Sequence, residues 1–559
     1  MRPSPRELCL ILAAALGYFL AFPNPVAQLP ILALATPACL FLLAAEAGGR
    51  ARAVFFSFLG LLLGSSLALY WLAIPMHNFG GVPWLLAAFF VLLLGLIFGA
   101  HGSLFALLVR LFIRRLPFWP AVLGLAVAWG MLEHLRGWIC TGFPWLSLSS
   151  AFAGWPVLAQ GAAILGMYAL SAFYALIALL LALFWKSRRG EDLAALFPAA
   201  GPRPLPGRRP LLALPLALLA LAAIYGLTRL ERDWSGQPDR PGPAGQENAL
   251  LVTLVQGNTD QKQKWTADYR SQIIGNYLEL SRRALTRAQK EHGRKPDLLL
   301  WPETAMPFAF QKSPYTAGPI RQLARESGVP LLFGTQGLEA DLEKEPYPEL
   351  SPIFDYVYNR VLLLDQLGRE SGSYDKEHLV PFGEYLPPGL SIPFATEFLQ
   401  GTGFTPGQPG PPPLKSGRAA LGLLICYEVI FPELAQARVA AGANLLVSVS
   451  NDAWFGKSSA PLQHLQLAAM RCIEQGRYMA RATNTGISAV IDPCGRVSGA
   501  GPLFEARART EPVWPLREIT IFHRGYDWIS GALWVIPLSL MLWAALRRAA
   551  GRRGKPARS

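Results

Sequence analysis

Leu421-Gly422-Leu423-Leu424-Ile425 runs into Cys426-Tyr427-Glu428 inside a long polar block, and this short stretch decides how the block folds. An apolar run of this length reads as a buried strand, and sheet-based enzymes present their chemistry at the C-terminal ends of such strands. Cys426 is therefore a candidate thiol nucleophile. The block extends from about Gln246 to His523, long enough for one sizeable α/β domain. Its other apolar runs are equally short and rich in β-formers: Leu250 to Val255, Leu298 to Trp301, Leu331 to Gly334, Val361 to Leu364 and Leu445 to Val449. Helix-like stretches lie between several of them, including Tyr269 to Gln289 and Gln463 to Ala480, so alternating units with a largely covered sheet are expected. Two connections, Gly337 to Tyr356 and Pro387 to Lys415, are long and rich in Pro, Gly and acidic residues, which marks them as functional or mobile loops.

Outside the block the composition changes. The chain of 559 residues is 52% hydrophobic and only 16% charged, with a mean hydropathy of +0.30, which is too apolar for a soluble protein of this size. Uncharged stretches near Leu8 to Phe22, Leu29 to Ala45, Val54 to Ile74, Trp84 to Leu108, Ala121 to Leu132, Leu158 to Phe184, Leu211 to Leu227 and Trp528 to Leu546 give eight expected spans, judged against about 20 residues per membrane helix. The first is short, and the fifth runs into Glu133, His134 and Arg136. Arg2 and Arg6 before the first span give it the look of a signal peptide, but no small-residue cleavage site follows, so it reads as a retained helix.

The net charge of +14 suggests nucleic acid only until it is mapped onto those spans. Arg2 and Arg6, Arg50 and Arg52, Arg110, Arg114 and Arg115, and the cluster from Lys186 to Arg209 fall at the N-terminus and in alternate loops, while Pro23 to Gln28 and Met76 to Pro83 carry no Lys or Arg. The tail adds six more basic residues from Arg547 to Arg558. This is the positive-inside pattern, and it predicts that both termini are cytoplasmic and the polar block extracytoplasmic. Nucleic acid is not an expected partner. The expected layout is a transmembrane domain of seven spans over 1–230, a catalytic domain over 246–523, and a last span with its basic tail over 524–559.

Two further residues in the block form a chemical set with Cys426. Glu303 follows Leu298-Leu299-Leu300-Trp301-Pro302, and Lys376 lies in Tyr374-Asp375-Lys376-Glu377-His378. A thiol with an ordinary pKa of about 8.5 is little ionised at neutral pH and needs a base or a cation beside it. A carboxylate can take the thiol proton, and a lysine can stabilise the oxyanion formed when sulfur attacks a carbonyl. Taken alone, a Cys after an apolar run is more often a core residue, and a lone Glu or Lys in a loop is usually a solvated charge.

Resemblance to known families alters that balance. Trp301-Pro302-Glu303, the run from Lys376 through Leu379-Val380-Pro381-Phe382-Gly383-Glu384-Tyr385, and Ile425-Cys426-Tyr427-Glu428 resemble, in the same order, the Glu-Lys-Cys triad signatures of the nitrilase superfamily. Ser450-Asn451-Asp452-Ala453-Trp454-Phe455, Gln463-His464, Arg481-Ala482-Thr483-Asn484-Thr485-Gly486 and Thr141-Gly142-Phe143-Pro144-Trp145-Leu146 are similar to its membrane-embedded branch, the apolipoprotein N-acyltransferase family. The resemblance covers almost the whole chain. It implies a polytopic helical membrane domain joined to an αββα sandwich of the nitrilase type.

It also implies roles. Glu303 matches the general base, Lys376 the oxyanion-stabilising lysine and Cys426 the nucleophile; Glu384 and Glu428 match two further acidic positions, and Tyr427 and Trp265 match aromatic positions that touch substrate. Packing is a competing account for both aromatics, and for Glu428 a structural carboxylate is an equal alternative. Trp454 and Phe455 are expected to shape the pocket or face lipid, and His464 to be structural rather than a ligand. The implied reaction moves an acyl chain from a membrane phospholipid to the N-terminal amine of a diacylated lipoprotein through a thioester, without metal or organic cofactor, in a monomer of the inner membrane. Two other readings stay open: a membrane-tethered amidohydrolase of the nitrilase type, and an inactive lipoprotein-binding protein. Cys472 and Cys494 depart from the family pattern, and whether they pair in an oxidising compartment is left open by the sequence.

Overall fold

The computed structural model describes residues 2–200, 205–232, 249–264, 267–339, 356–385 and 403–553. All eight expected apolar segments are helical. Six are long and apolar enough to cross a membrane: Arg50–Ala68, Trp84–Arg115, Phe118–Arg136, Ala162–Arg188, Arg208–Glu231 and Tyr526–Ala549. The first, Pro5–Ala21, is 17 residues long, and the second, Pro30–Glu46, is likewise a shorter apolar helix that begins as a 3-10 turn. At 1.5 Å per residue such helices reach about 26 Å, short of a hydrocarbon core of about 30 Å. Leu216, Leu221 and Ile224 on Arg208–Glu231, and Val535, Leu538 and Leu542 on the last helix, are exposed, so these two helices flank the bundle and show apolar side chains to the surroundings.

Among the described residues, the polar block forms twelve strands in two six-stranded sheets. The first has the order β12-β1-β2-β3-β4-β5: β1 is Leu250–Gln256, β2 Leu298–Leu300, β3 Leu331–Glu339, β4 Tyr356–Leu364, β5 Glu370–Asp375 and β12 Arg507–Val513. The second has the order β11-β10-β9-β8-β7-β6: β6 is Leu414–Ser416, β7 Ala419–Ile425, β8 Leu445–Ser450, β9 Met479–Thr483, β10 Ala489–Ile491 and β11 Val497–Ser498. In each sheet three neighbouring strands are parallel, β1-β2-β3 and β7-β8-β9, and the outer pairings are antiparallel.

Strand alternation assigns the faces. Leu250, Val252 and Leu254 of β1 meet Leu421, Leu423 and Ile425 of β7 in the core between the sheets, whereas Val255 and Leu299 point outward onto the Arg270–His292 and Pro314–Ser327 helices. Leu424 and Leu446 point the other way, toward the Pro432–Ala440 and Ala460–Gln475 helices. The result is the expected αββα sandwich. One outer helix layer does double duty: the cluster containing Leu465, Ala469 and Ile473 is continuous with the cores of the membrane helices.

One expectation needs adjustment. The helix expected over Gln463 to Ala480 is Ala460–Gln475, because Gly476 ends it in the left-handed region at φ 62° and Met479 and Ala480 belong to β9. The long connections fall largely on 340–355 and 386–402, outside the described residues. Cys472 and Cys494 are buried thiols and are not joined by a disulfide.

Candidate active site

The C-terminal ends of β2, β5 and β7 converge, and each delivers one member of the expected set. Glu303 lies three residues past β2, Lys376 directly follows β5, and Cys426 directly follows β7. All three are buried, with 6%, 1% and 8% of their surface exposed. Cys426 opens a tight turn with φ 52°, a backbone conformation that an L residue adopts at a cost and that is common where a reactive side chain must be presented. Thr304, next to Glu303, is also left-handed at φ 47°. Gly334 of β3 makes room for that bend: a Cβ there would collide with the Thr304 nitrogen and lie 2.7 Å from the Glu303 Cα.

A closed network fixes the charged groups. Lys376 Nζ is 2.8 Å from Glu384 Oε2, 3.0 Å from Glu384 Oε1 and 3.6 Å from Glu303 Oε1. Asn359 Nδ2 donates to both carboxylates, at 2.7 Å to Glu303 Oε1 and 2.9 Å to Glu384 Oε1. The other Glu303 oxygen accepts from the Asn451 backbone N–H at 2.8 Å. Glu384 Oε2 also accepts from the Val380 N–H at 2.8 Å, which ties the carboxylate to its own loop.

The electrostatics follow from burial and these partners. Burial pushes the Cys426 thiol well above its ordinary value, and the Glu303 charge adds to that more than Lys376 offsets it. The resting sulfur is therefore protonated. Burial alone would lower Lys376, but the negative charges of Glu384 and then Glu303 outweigh it and hold the ammonium firmly charged. Burial also pushes His378, beside this loop, down to about 4, so its ring is neutral.

The supporting residues divide. Glu428 is fully buried and accepts from Tyr374 Oη at 2.7 Å, from the backbone N–H groups of Glu377 and His378 at 2.7 and 3.1 Å, and from that of Ile425 at 2.7 Å. It pins the loop carrying Lys376 to the turn carrying Cys426. The Tyr427 hydroxyl donates to the Gly142 carbonyl at 2.9 Å, in the loop that ends a membrane helix, and its ring meets Phe431 edge-on at 5.1 Å. Trp454 and Phe455 pack against Phe79 and Trp71 of the membrane domain, at 4.8 and 4.9 Å. Trp265 lies outside the described residues. Among the described residues, no group of three or more His, Cys, Asp or Glu side chains is arranged to hold a metal ion.

Several polar residues join the site unannounced by the sequence reading. Lys264 is 2% exposed, and its Nζ donates to the Glu303 carbonyl oxygen at 3.4 Å. Burial pushes it down to about 8 against the pull of Glu303 and Cys426. Asn451 and Asn484, at the ends of β8 and β9, bond each other at 3.0 Å, and Asn451 donates to Gln261 at 2.7 Å. Both stand in motifs that carry the family resemblance, and each directly follows a buried parallel strand, but the sequence reading gave neither a role.

Comparison with known proteins places this geometry in a family. Residues 251–507 match the carbon-nitrogen hydrolase model, and residues 14–180 match the apolipoprotein N-acyltransferase N-terminal domain. The chain is 34% identical over 502 residues to the apolipoprotein N-acyltransferase of Geobacter metallireducens, covering 89% of this chain and 88% of that one. It is 35% identical over 554 residues to the Azotobacter vinelandii protein of the same name, covering 97% and 96%. An amidase from Nesterenkonia sp. of known structure is 23% identical, with a TM-score of 0.34 over 48% of this chain and 91% of its own. Two domain matches and near full-length identity with these relatives identify the chain as a member of the apolipoprotein N-acyltransferase family.

Proposed function

We propose that this acyltransferase moves an acyl chain from a membrane phospholipid to the N-terminal α-amine of a diacylglyceryl-cysteine lipoprotein, through a thioester on Cys426. One observation carries the reading: a thiol, a carboxylate and a lysine are buried together at three converging strand ends, in a domain one of whose outer helix layers packs on a membrane bundle.

The first half-reaction begins from a protonated thiol. Glu303 takes the Sγ proton as sulfur attacks the ester carbonyl, and the Lys376 ammonium stabilises the oxyanion. The C–O bond then breaks, and the lysophospholipid leaves with the proton returned by Glu303. In the second half the amine of the lipoprotein attacks the thioester, Glu303 takes its proton, and the C–S bond breaks to restore the thiol. Glu384 keeps Lys376 oriented, Glu428 joins the two loops, and Tyr427 seats the turn on the membrane domain.

The distribution of Arg and Lys supports a catalytic domain on the periplasmic side, with both termini cytoplasmic and residues 1–230, 246–523 and 524–559 as the working divisions. A single chain carries every member of the triad, which favours a monomer. Purified protein given labelled phospholipid and a diacylated lipopeptide is expected to form a labelled thioester and then N-acylated product; Cys426→Ala forms neither while remaining folded. A thioester that passes only to water would instead support the amidohydrolase reading.

A further inference from the structure

The carbonyl of Cys426 accepts a hydrogen bond from His464 Nε2 at 3.1 Å. A carbonyl oxygen can only accept, so Nε2 carries the ring proton. Burial and then the neighbouring Arg481 charge hold His464 below its ordinary value, against the pull of Asp452. Nδ1 lies 2.9 Å from Arg481 Nη2 and 3.2 Å from Asp452 Oδ1, and Arg481 Nη2 also donates to Asp452 Oδ2 at 3.1 Å, so the far side of the ring is fixed by this pair. Whatever Nδ1 carries, Nε2 grips the backbone at the strained residue of the nucleophile turn.

The preceding residue, Gln463, belongs to the other domain's network. Its Oε1 accepts from the indole N–H groups of Trp145 at 2.8 Å and Trp71 at 3.1 Å, and its Nε2 donates to the carbonyls of Pro23 at 2.8 Å and Ala68 at 3.1 Å. All four hydrogen-bonding positions of the amide are filled, every one by the membrane domain, and indoles only donate, so the amide has one orientation. Trp145 also stacks on the His464 ring, with centroids 5.5 Å apart and planes 26° apart.

We propose that Gln463 and His464 are positioning residues through which three separate segments of the membrane domain hold the Cys426 backbone in its left-handed turn. The membrane bundle then sets the reactivity of the nucleophile as well as delivering lipid to it. The proposal rests on Cys426 as the acylated residue.

The test uses the full-length protein in detergent, with a fluorescent phospholipid as donor and a diacylated lipopeptide as acceptor. His464→Leu is expected to slow thioester formation about a hundredfold, the loss that a displacement of about 1 Å can bring, with the KM for phospholipid unchanged. His464→Gln, whose amide can donate from the same place, recovers most of that rate. The double variant Trp71→Phe, Trp145→Phe removes both donors to Gln463 Oε1 from the membrane side and slows the same step, again through kcat, so a His464 variant that does not fold leaves a decisive measurement in hand. Normal thioester formation in the folded double variant, a loss confined to KM, or a folded His464→Gln as slow as His464→Leu overturns the proposal. Failure of the nucleophile itself is distinguishable, because label would then remain on the Cys426→Ala protein.

Discussion

Both oxygens of Glu384 lie within hydrogen-bonding distance of the Lys376 ammonium, at 3.0 and 2.8 Å, whereas the nearest Glu303 oxygen stands 3.6 Å away. Glu384 thus keeps the lysine from closing on the base. Removing it lets Lys376 move onto Glu303, which occupies the base and takes the ammonium away from the place where the oxyanion forms. Glu384→Ala is expected to reduce the rate of thioester formation about a hundredfold, as other lost catalytic electrostatic contacts do. Rapid-quench measurement of the acyl-enzyme checks this, and an unchanged rate contradicts it.

Glu303 should have opposite effects on two properties of the same thiol. Its charge helps to raise the Cys426 pKa, so Glu303→Gln lowers that pKa and increases the thiolate fraction at rest. The same variant loses the proton acceptor for acylation. Alkylation of Cys426 by iodoacetamide at pH 7.5 is therefore expected to speed up while acyl transfer falls by about 10²- to 10⁴-fold, the usual range for the loss of a general base.

Lys264 supplies a pH signature. It is charged below about pH 8 and neutral above, since burial has pushed its pKa down to that value. The positive charge favours the anionic transition state beside Glu303 and Cys426, so the acylation rate should lose a component as the pH rises through 8. Lys264→Gln removes that alkaline limb and lowers the rate at pH 7 about tenfold, the equivalent of one pKa unit of interaction. Rate profiles from pH 6 to 10 for both proteins make the comparison.

Glu428 predicts a larger loss of stability than Cys426 does. Glu428→Gln turns one acceptor oxygen into a donor that faces N–H groups, and each buried N–H left unpaired costs about 1–3 kcal/mol. The Tm in detergent should fall by several degrees together with kcat. Cys426→Ala removes one buried sulfur and should cost only about 1 kcal/mol, the central value for single substitutions, so its Tm should fall less than that of Glu428→Gln.

Gly334→Ala tests the approach of β3 to the base. Overpacking of this kind costs about 1–3 kcal/mol, and the atoms that must move include the Glu303 Cα. Thioester formation is expected to drop about a hundredfold with substrate KM unchanged.

Glu303 and Cys426 were legible for a physical reason, because each closely follows a short apolar strand; Lys376 follows the polar strand Glu370–Asp375, and only the resemblance carried by the run from Lys376 to Tyr385 marked it. Lys264 could not be read that way. It lies in the polar run Asp260-Gln261-Lys262-Gln263-Lys264, which looks solvated until the fold buries its last residue. Gln463 stood in a motif of the family, yet its four partners come from three segments hundreds of residues away, so nothing local showed what its amide would hold. The end of that helix was misjudged because Tyr478-Met479-Ala480 continues an apolar pattern across Gly476, and the stop depends on a left-handed glycine.

Every residue of Ala460–Gln475 except Leu462 is buried, so the outer helix of the second sheet has no face left for water. A catalytic domain cut free at about residue 246 would expose Leu465, Ala469 and Ile473, and would present Gln463 with all of its partners gone. Attempts to make a soluble, excised form of this enzyme should yield aggregated protein, and any engineering of its specificity has to be carried out on the intact chain in lipid or detergent.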